Sequence, residues 1–185
     1  DINGWDVKND GNSVYDSADE DYHGTHVAGT IGAVSNNGIG VAGVAWNVRI
    51  MSLKFLDSAG GSTSDAITAL AYAKANGAKF TSNSWGGGGE SQALKDAITA
   101  HGGLFIAASG NDGKNTDTSP MYPAASDLDI IISVAATDRN DALAGYSNYG
   151  ATSVDLGAPG DAIMATYPDN AYAAISGTSM ATPIV

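Results

Sequence analysis

Ile130-Ile131-Ile132-Ser133-Val134-Ala135 is an almost unbroken apolar run, of the kind buried on both faces of a parallel sheet. Working outward, three more stretches read as strands: Arg49 to Leu56, Lys79 to Ser84 and Leu104 to Ala108. Helical spacing separates them. Thr63 to Asn76 puts Ile67, Leu70, Ala71 and the Lys74 stem on one face and ends at Gly77, and Ser91 to His101 does the same with Leu94, Ala97 and Ile98. Alternation of strand and helix predicts a three-layer α/β/α domain with a mostly parallel central sheet. No repeat and no linker interrupts residues 1–185, so one domain is expected.

Ligands meet open α/β sheets at the carboxyl ends of their strands. Leu104-Phe105-Ile106 runs into Ala107-Ala108-Ser109-Gly110-Asn111-Asp112-Gly113, which puts Asn111 just past such an end, where its amide could donate to a developing oxyanion. Near the other end of the chain, Gly177-Thr178-Ser179-Met180-Ala181-Thr182-Pro183 reads as a tight turn opening into a helix. Ser179 then sits among unpaired backbone N–H groups at the positive end of the macrodipole, which suits a nucleophile, although on this segment alone an ordinary helix cap is the commoner reading. A base is offered by His23-Gly24-Thr25-His26-Val27-Ala28-Gly29-Thr30, read as the first turn of a packed helix with an imidazole at its mouth.

Together the segments HGTHVAGT, AASGNDG and GTSMATP resemble the subtilisin-like serine proteases, the subtilase (peptidase S8) family, in order and interval. The resemblance extends through Asn36 to Val41, Asn83 to Gly87 and Leu156 to Gly160, nearly the whole chain. It implies a serine endopeptidase with Ser179 as nucleophile, His23 as general base and then acid, and Asn111 as side-chain oxyanion donor beside the Ser179 N–H. His26 becomes a structural histidine, and His101 reads as a solvated helix end. Ser84, Trp85 and Gly86 become one edge of a substrate cleft, with Gly60, Gly61 and Ser62 opposite. An extended polypeptide would bind as a strand between them, with large apolar side chains favoured in the main pocket. Without the resemblance, Gly86 to Gly89 reads as a flexible turn, since no Gly-Lys-Ser/Thr ending makes it a phosphate loop.

The family's third triad member is an aspartate in an apolar-Asp-Thr/Ser-Gly setting, farther upstream than the 22 residues that precede His23. Asp1, Asp6, Asp10, Asp16, Asp19 and Asp21 all lack that setting, so none is assigned. Six residues follow Ser179, with Ile184 where the family has histidine, and a partial catalytic domain is expected, inactive by itself. A catalytically dead binding or scaffold module is the alternative, against which stands the retention of His23, Asn111 and Ser179.

Composition narrows the partners. With 43% hydrophobic residues the chain can bury one sizeable core, and a formal net charge of -12 with eight Lys and Arg disfavours nucleic acid. No apolar run is long enough for a membrane span, and absent cysteine removes disulfide and thiol chemistry without fixing a compartment. Secretion and a monomeric state follow from the resemblance alone. Two loops invite Ca²⁺. Asp6 to Asp16, with Asp6 and Asp10, carries hard oxygens that suit calcium and are also ordinary turn chemistry. In Ser35 to Val41 the resemblance implies the Asn37 side chain with the carbonyls of Ser35, Ile39 and Val41, under-ligated without an upstream aspartate.

Overall fold

The computed structural model describes residues 3–185. In chain order the elements are β1 (Trp5–Asp6), α1 (Ala18–Gly32), β2 (Leu53–Lys54), α2 (Thr63–Ala75), β3 (Phe80–Asn83), α3 (Gln92–His101), β4 (Leu104–Ala108), β5 (Ile131–Thr137), β6 (Leu156–Pro159), β7 (Ile163–Tyr167), β8 (Ala171–Ile175), α4 (Thr178–Ala181) and a closing 3₁₀ turn, Thr182–Ile184. Strands β3, β4, β5 and β6 form a parallel sheet in that order, with Phe80 opposite Leu104, Phe105 opposite Ile131 and Val134 opposite Leu156.

The alternation of side chains along a strand builds the two outer layers. Phe105, Ala107 and Ile131 point to one face, where they pack with Ala66 and Leu70 of α2 and Leu94 and Ile98 of α3. Ile106, Val134, Ala136 and Ala158 point to the other, where Ala181 of α4 joins them. Each helix has its own start signal. In α2 the Ser62 hydroxyl accepts from Asp65 N at 3.1 Å while the Asp65 carboxylate accepts from Ser62 N at 3.3 Å, a reciprocal capping box. Ser91 caps α3, and Gly102 ends it at φ +80°, a conformation glycine adopts without strain.

Helix α1 departs from expectation: it starts at Ala18, so His23 lies inside it and not at its mouth. Ser17 accepts from Glu20 N, and Asp19, Glu20 and Asp21 place negative charge in the first turn, where the helix dipole favours it. A buried ammonium secures this start, since Lys54 Nζ reaches Asp16 at 2.7 Å and Asp21 at 2.6 Å. Burial disfavours the Asp21 charge, but Lys54 and the N–H groups of Asp16 and Ser17 outweigh it and hold that carboxyl below its ordinary range.

The predicted strand Arg49 to Leu56 shrinks to Leu53–Lys54, which pairs in parallel with Trp5–Asp6. A strand exists only as far as a partner supplies ladder bonds, and β1 supplies two residues. The antiparallel β7–β8 hairpin, unforeseen from the sequence, packs on α1. Gly29 permits the approach, because a Cβ there would come within 1.9 Å of Thr166 Oγ1.

Candidate active site

Ser179 is the second residue of α4 and stands beside the end of β3. Its Oγ donates to the Ser84 carbonyl at 3.3 Å, and Ser84 Oγ donates to the Ser179 carbonyl at 2.7 Å. These bonds tie the serine to the segment read as a substrate edge. Ser179 N, at the open end of the short helix, has no hydrogen-bond partner among the described residues.

Asn111 lies just beyond β4, as its sequence setting predicts. Its Oδ1 accepts from Thr178 N at 2.8 Å and from Thr178 Oγ1 at 3.0 Å. A backbone N–H can only donate, so the amide oxygen must face Thr178 and Nδ2 must face away. Nδ2 and the Ser179 nitrogen both lie beside Gly177, where a Cβ would sit 3.6 Å from the first and 3.7 Å from the second. Among the described residues neither nitrogen donates a hydrogen bond, and a pair of neighbouring unbonded donors beside a hydroxyl suits a developing oxyanion. Asn111, Thr178 and Ser179 share the walls of a cleft of about 330 Å³ with Ser84, Trp85 and Gly86.

His23 projects from α1, which packs against α4. It is half-buried and makes no hydrogen bond among the described residues, with Ser179 or with any carboxylate. Burial chiefly, and the neighbouring His26 in addition, lower its pKa from the ordinary imidazole value, which favours a neutral ring able to accept a proton. His26 is fully buried, and its Nε2 lies 3.0 Å from the Ile163 carbonyl and 3.1 Å from the Ala173 carbonyl, a structural clamp between α1 and the β7–β8 hairpin. His101 is not a solvated helix end. Its Nδ1 accepts from Gly103 N at 3.2 Å, which turns the ring inward and leaves Nε2 buried.

Of the residues read as substrate edges, Ser84, Trp85 and Gly86 border the cleft with Ser179. The Trp85 ring is anchored in the core, edge-on to Phe55 and Phe105, with Nε1 donating to Asn83 Oδ1 at 3.1 Å. Gly60, Gly61 and Ser62 lie outside the walls of this cleft: Gly60 closes a turn onto Asp57 and Ser62 caps α2.

The calcium readings meet a shortage of charge. Asp6 is buried and spends its carboxylate on Lys8 N, Asn9 N and Asn9 Nδ2, while Asp10 is exposed. In the other loop Asn37 Oδ1 accepts from Ile39 N at 3.0 Å, and Ser35, Ile39 and Val41 add only neutral oxygens. Among the described residues no three acids or histidines cluster as a metal site would need. These residues do not by themselves fit a calcium cage.

Thr178, which orients the Asn111 amide, carries no signal of that role in the sequence beyond its adjacency to Ser179. The Asn111 bond spans a 67-residue separation that no local pattern reports.

The sequence profile of the subtilase family matches residues 2–185, and the chain belongs to that family. It is 41% identical to thermitase of Thermoactinomyces vulgaris, across 100% of this chain and 64% of thermitase. An extracellular protease of Xanthomonas campestris pv. campestris is 38% identical across 98% of the chain and 34% of its own length. The crystal structure of a cold-adapted subtilisin-like serine proteinase superimposes with a TM-score of 0.81 and 35% identity, covering 98% of this chain and 63% of that one. The chain therefore spans less than two thirds of each of these relatives.

Proposed function

We propose that the protein carrying this chain is a serine endopeptidase and that residues 1–185 form part of its catalytic domain. The supporting observation is that Asn111 and Ser179 line one cleft, with the Asn111 amide oxygen held by Thr178 and its Nδ2 and the Ser179 nitrogen both beside Gly177. In this reading Ser179 Oγ attacks the scissile carbonyl and His23 takes its proton. The tetrahedral oxygen is held by the two N–H donors, and His23 then protonates the departing amine. Water hydrolyses the acyl-enzyme by the same steps in reverse order. The edge Ser84-Trp85-Gly86 pairs with the extended peptide, and because the Trp85 ring is committed to the core, side-chain selection falls to the other cleft walls.

Asn111→Ala tests the arrangement directly. One oxyanion donor is worth about 10²- to 10³-fold in kcat, a figure measured within this family. The variant should lose that much kcat with little change in KM, and a raised KM at unchanged kcat would make Asn111 a substrate-positioning group instead.

Secretion is proposed from kinship with extracellular relatives; among the described residues no helix is long and apolar enough to cross a membrane. The substrate is proposed to be polypeptide and the enzyme a monomer. Calcium is proposed only as a stabiliser at the Ser35–Val41 loop, completed by a carboxylate from elsewhere in the protein. Chelation that lowers the melting temperature without lowering kcat is the expected result.

A further inference from the structure

One buried side chain outside the proposed catalytic set is bonded to the backbone on both sides of Asn111. Asn148 is 1% exposed. Its Nδ2 donates to the Ser109 carbonyl at 2.9 Å, and its Oδ1 accepts from Asp112 N and from Lys114 N, each at 3.0 Å. Its own main-chain N–H donates to the Gly110 carbonyl at 2.9 Å, and its carbonyl accepts from Ser109 Oγ at 3.3 Å. Every one of these side-chain bonds goes to the stretch 109–114, which contains Asn111. Residue 110 is fitted to this contact, since it has φ +104° and a Cβ there would lie 2.4 Å from Asn148 Nδ2.

Two separate devices therefore hold the Asn111 amide. Thr178 sets the side-chain orientation through Oδ1, while the position of the Asn111 Cα depends on the loop that Asn148 grips from behind. The cleft lies on the front of that loop, and Asn148 is not among its walls. We infer that Asn148 is a positioning residue for the oxyanion donor, acting on the transition state through Asn111 without touching substrate. This rests on the proposed peptidase function and on the proposed role of Asn111. Its physical basis is that a donor contributes fully only when its N–H is already aimed where charge will appear, so freedom in the supporting loop erodes kcat in preference to KM.

A double-mutant cycle in the full-length enzyme tests it, with kcat normalised to intact sites by covalent titration of Ser179. Asn148→Ala should lower kcat about tenfold and leave KM within about twofold. In the Asn111→Ala background the same change should cost less than about twofold, because the group through which it acts is already gone. Equal losses in both backgrounds, or a loss carried by KM, would overturn the inference in favour of general support of the fold. If Asn148→Ala does not accumulate as folded protein, Asn148→Ser runs the same cycle, and the same two results support or overturn the inference. A parent enzyme with no turnover and no labelling at Ser179 would instead defeat the peptidase reading, and this inference with it; normal turnover with an additive cycle would defeat the inference alone.

Discussion

Replacing Ser179 by alanine is expected to reduce peptide hydrolysis by about 10⁶-fold in kcat, the scale found when this family loses its nucleophile. The structure gives the reason for so large a loss. Ser179 Oγ shares a cleft with the Asn111 amide and its own N–H is unbonded among the described residues, whereas the neighbouring Thr178 hydroxyl is committed to Asn111 Oδ1 at 3.0 Å. Ser84 Oγ also borders the cleft, but it is committed to the Ser179 carbonyl at 2.7 Å and so is not poised to substitute. A sulfonyl fluoride should modify Ser179 in the parent enzyme and leave Ser179→Ala unlabelled. The backbone should survive the change, because the 2.7 Å bond from Ser84 Oγ runs to the carbonyl of residue 179 and only the longer 3.3 Å bond from Ser179 Oγ to the Ser84 carbonyl is lost. Unaltered thermal stability with abolished turnover is the expected pair of results. Modification at a different serine, or turnover within about tenfold of the parent, would remove Ser179 from the mechanism.

What the sequence made legible follows from the range of the forces involved. The run Ile130 to Ala135 announced a strand buried on both faces because hydrophobic burial acts on each residue in place, and β5 occupies Ile131–Thr137. Helices α2 and α3 were equally visible, since Ser62, Ser91, Gly77 and Gly102 mark their ends by local hydrogen bonding and backbone conformation. Less accessible were features that depend on distant partners. β2 is two residues long because β1 is, and nothing within Arg49 to Leu56 records the length of its neighbour. The start of α1 needed Lys54, 33 residues away from Asp21. His101 reads as a solvated helix end because nothing in its local sequence records that its ring will accept from Gly103 N and turn inward. In the site, Asn111 and Ser179 could be placed by their local settings, whereas the bonds that aim them come from Thr178 and Asn148, which the chain path brings near only after folding.

His23 carries the second large effect. Among the described residues no carboxylate hydrogen-bonds its ring, and Ser179 Oγ points its hydrogen bond at Ser84 and not at the imidazole. In a serine protease triad the carboxylate fixes the imidazole tautomer and stabilises the imidazolium that forms during attack, and its loss costs roughly 10⁴-fold in kcat. Residues 1–185 expressed alone should therefore turn over a peptide substrate about 10⁴-fold more slowly than the full-length enzyme. The His23 ring supplies a readout independent of activity. Burial first, and His26 second, depress its pKa from the ordinary 6.5, and among the described residues no anion opposes them. Titrated by NMR, His23 in the 185-residue chain should protonate at a lower pH than in solvent-exposed peptides. The sign is fixed by which form burial disfavours: the cation is destabilised, so the ring stays neutral until the pH falls further. In the full-length enzyme a triad carboxylate would favour the imidazolium and move the same titration upward, and changing that carboxylate to its amide should return it downward together with the loss in kcat. If the short chain matched the full-length rate, or if its His23 titrated above the ordinary imidazole value, an acid among its own residues would be serving His23, and the assignment of the triad carboxylate to a position outside them would fall.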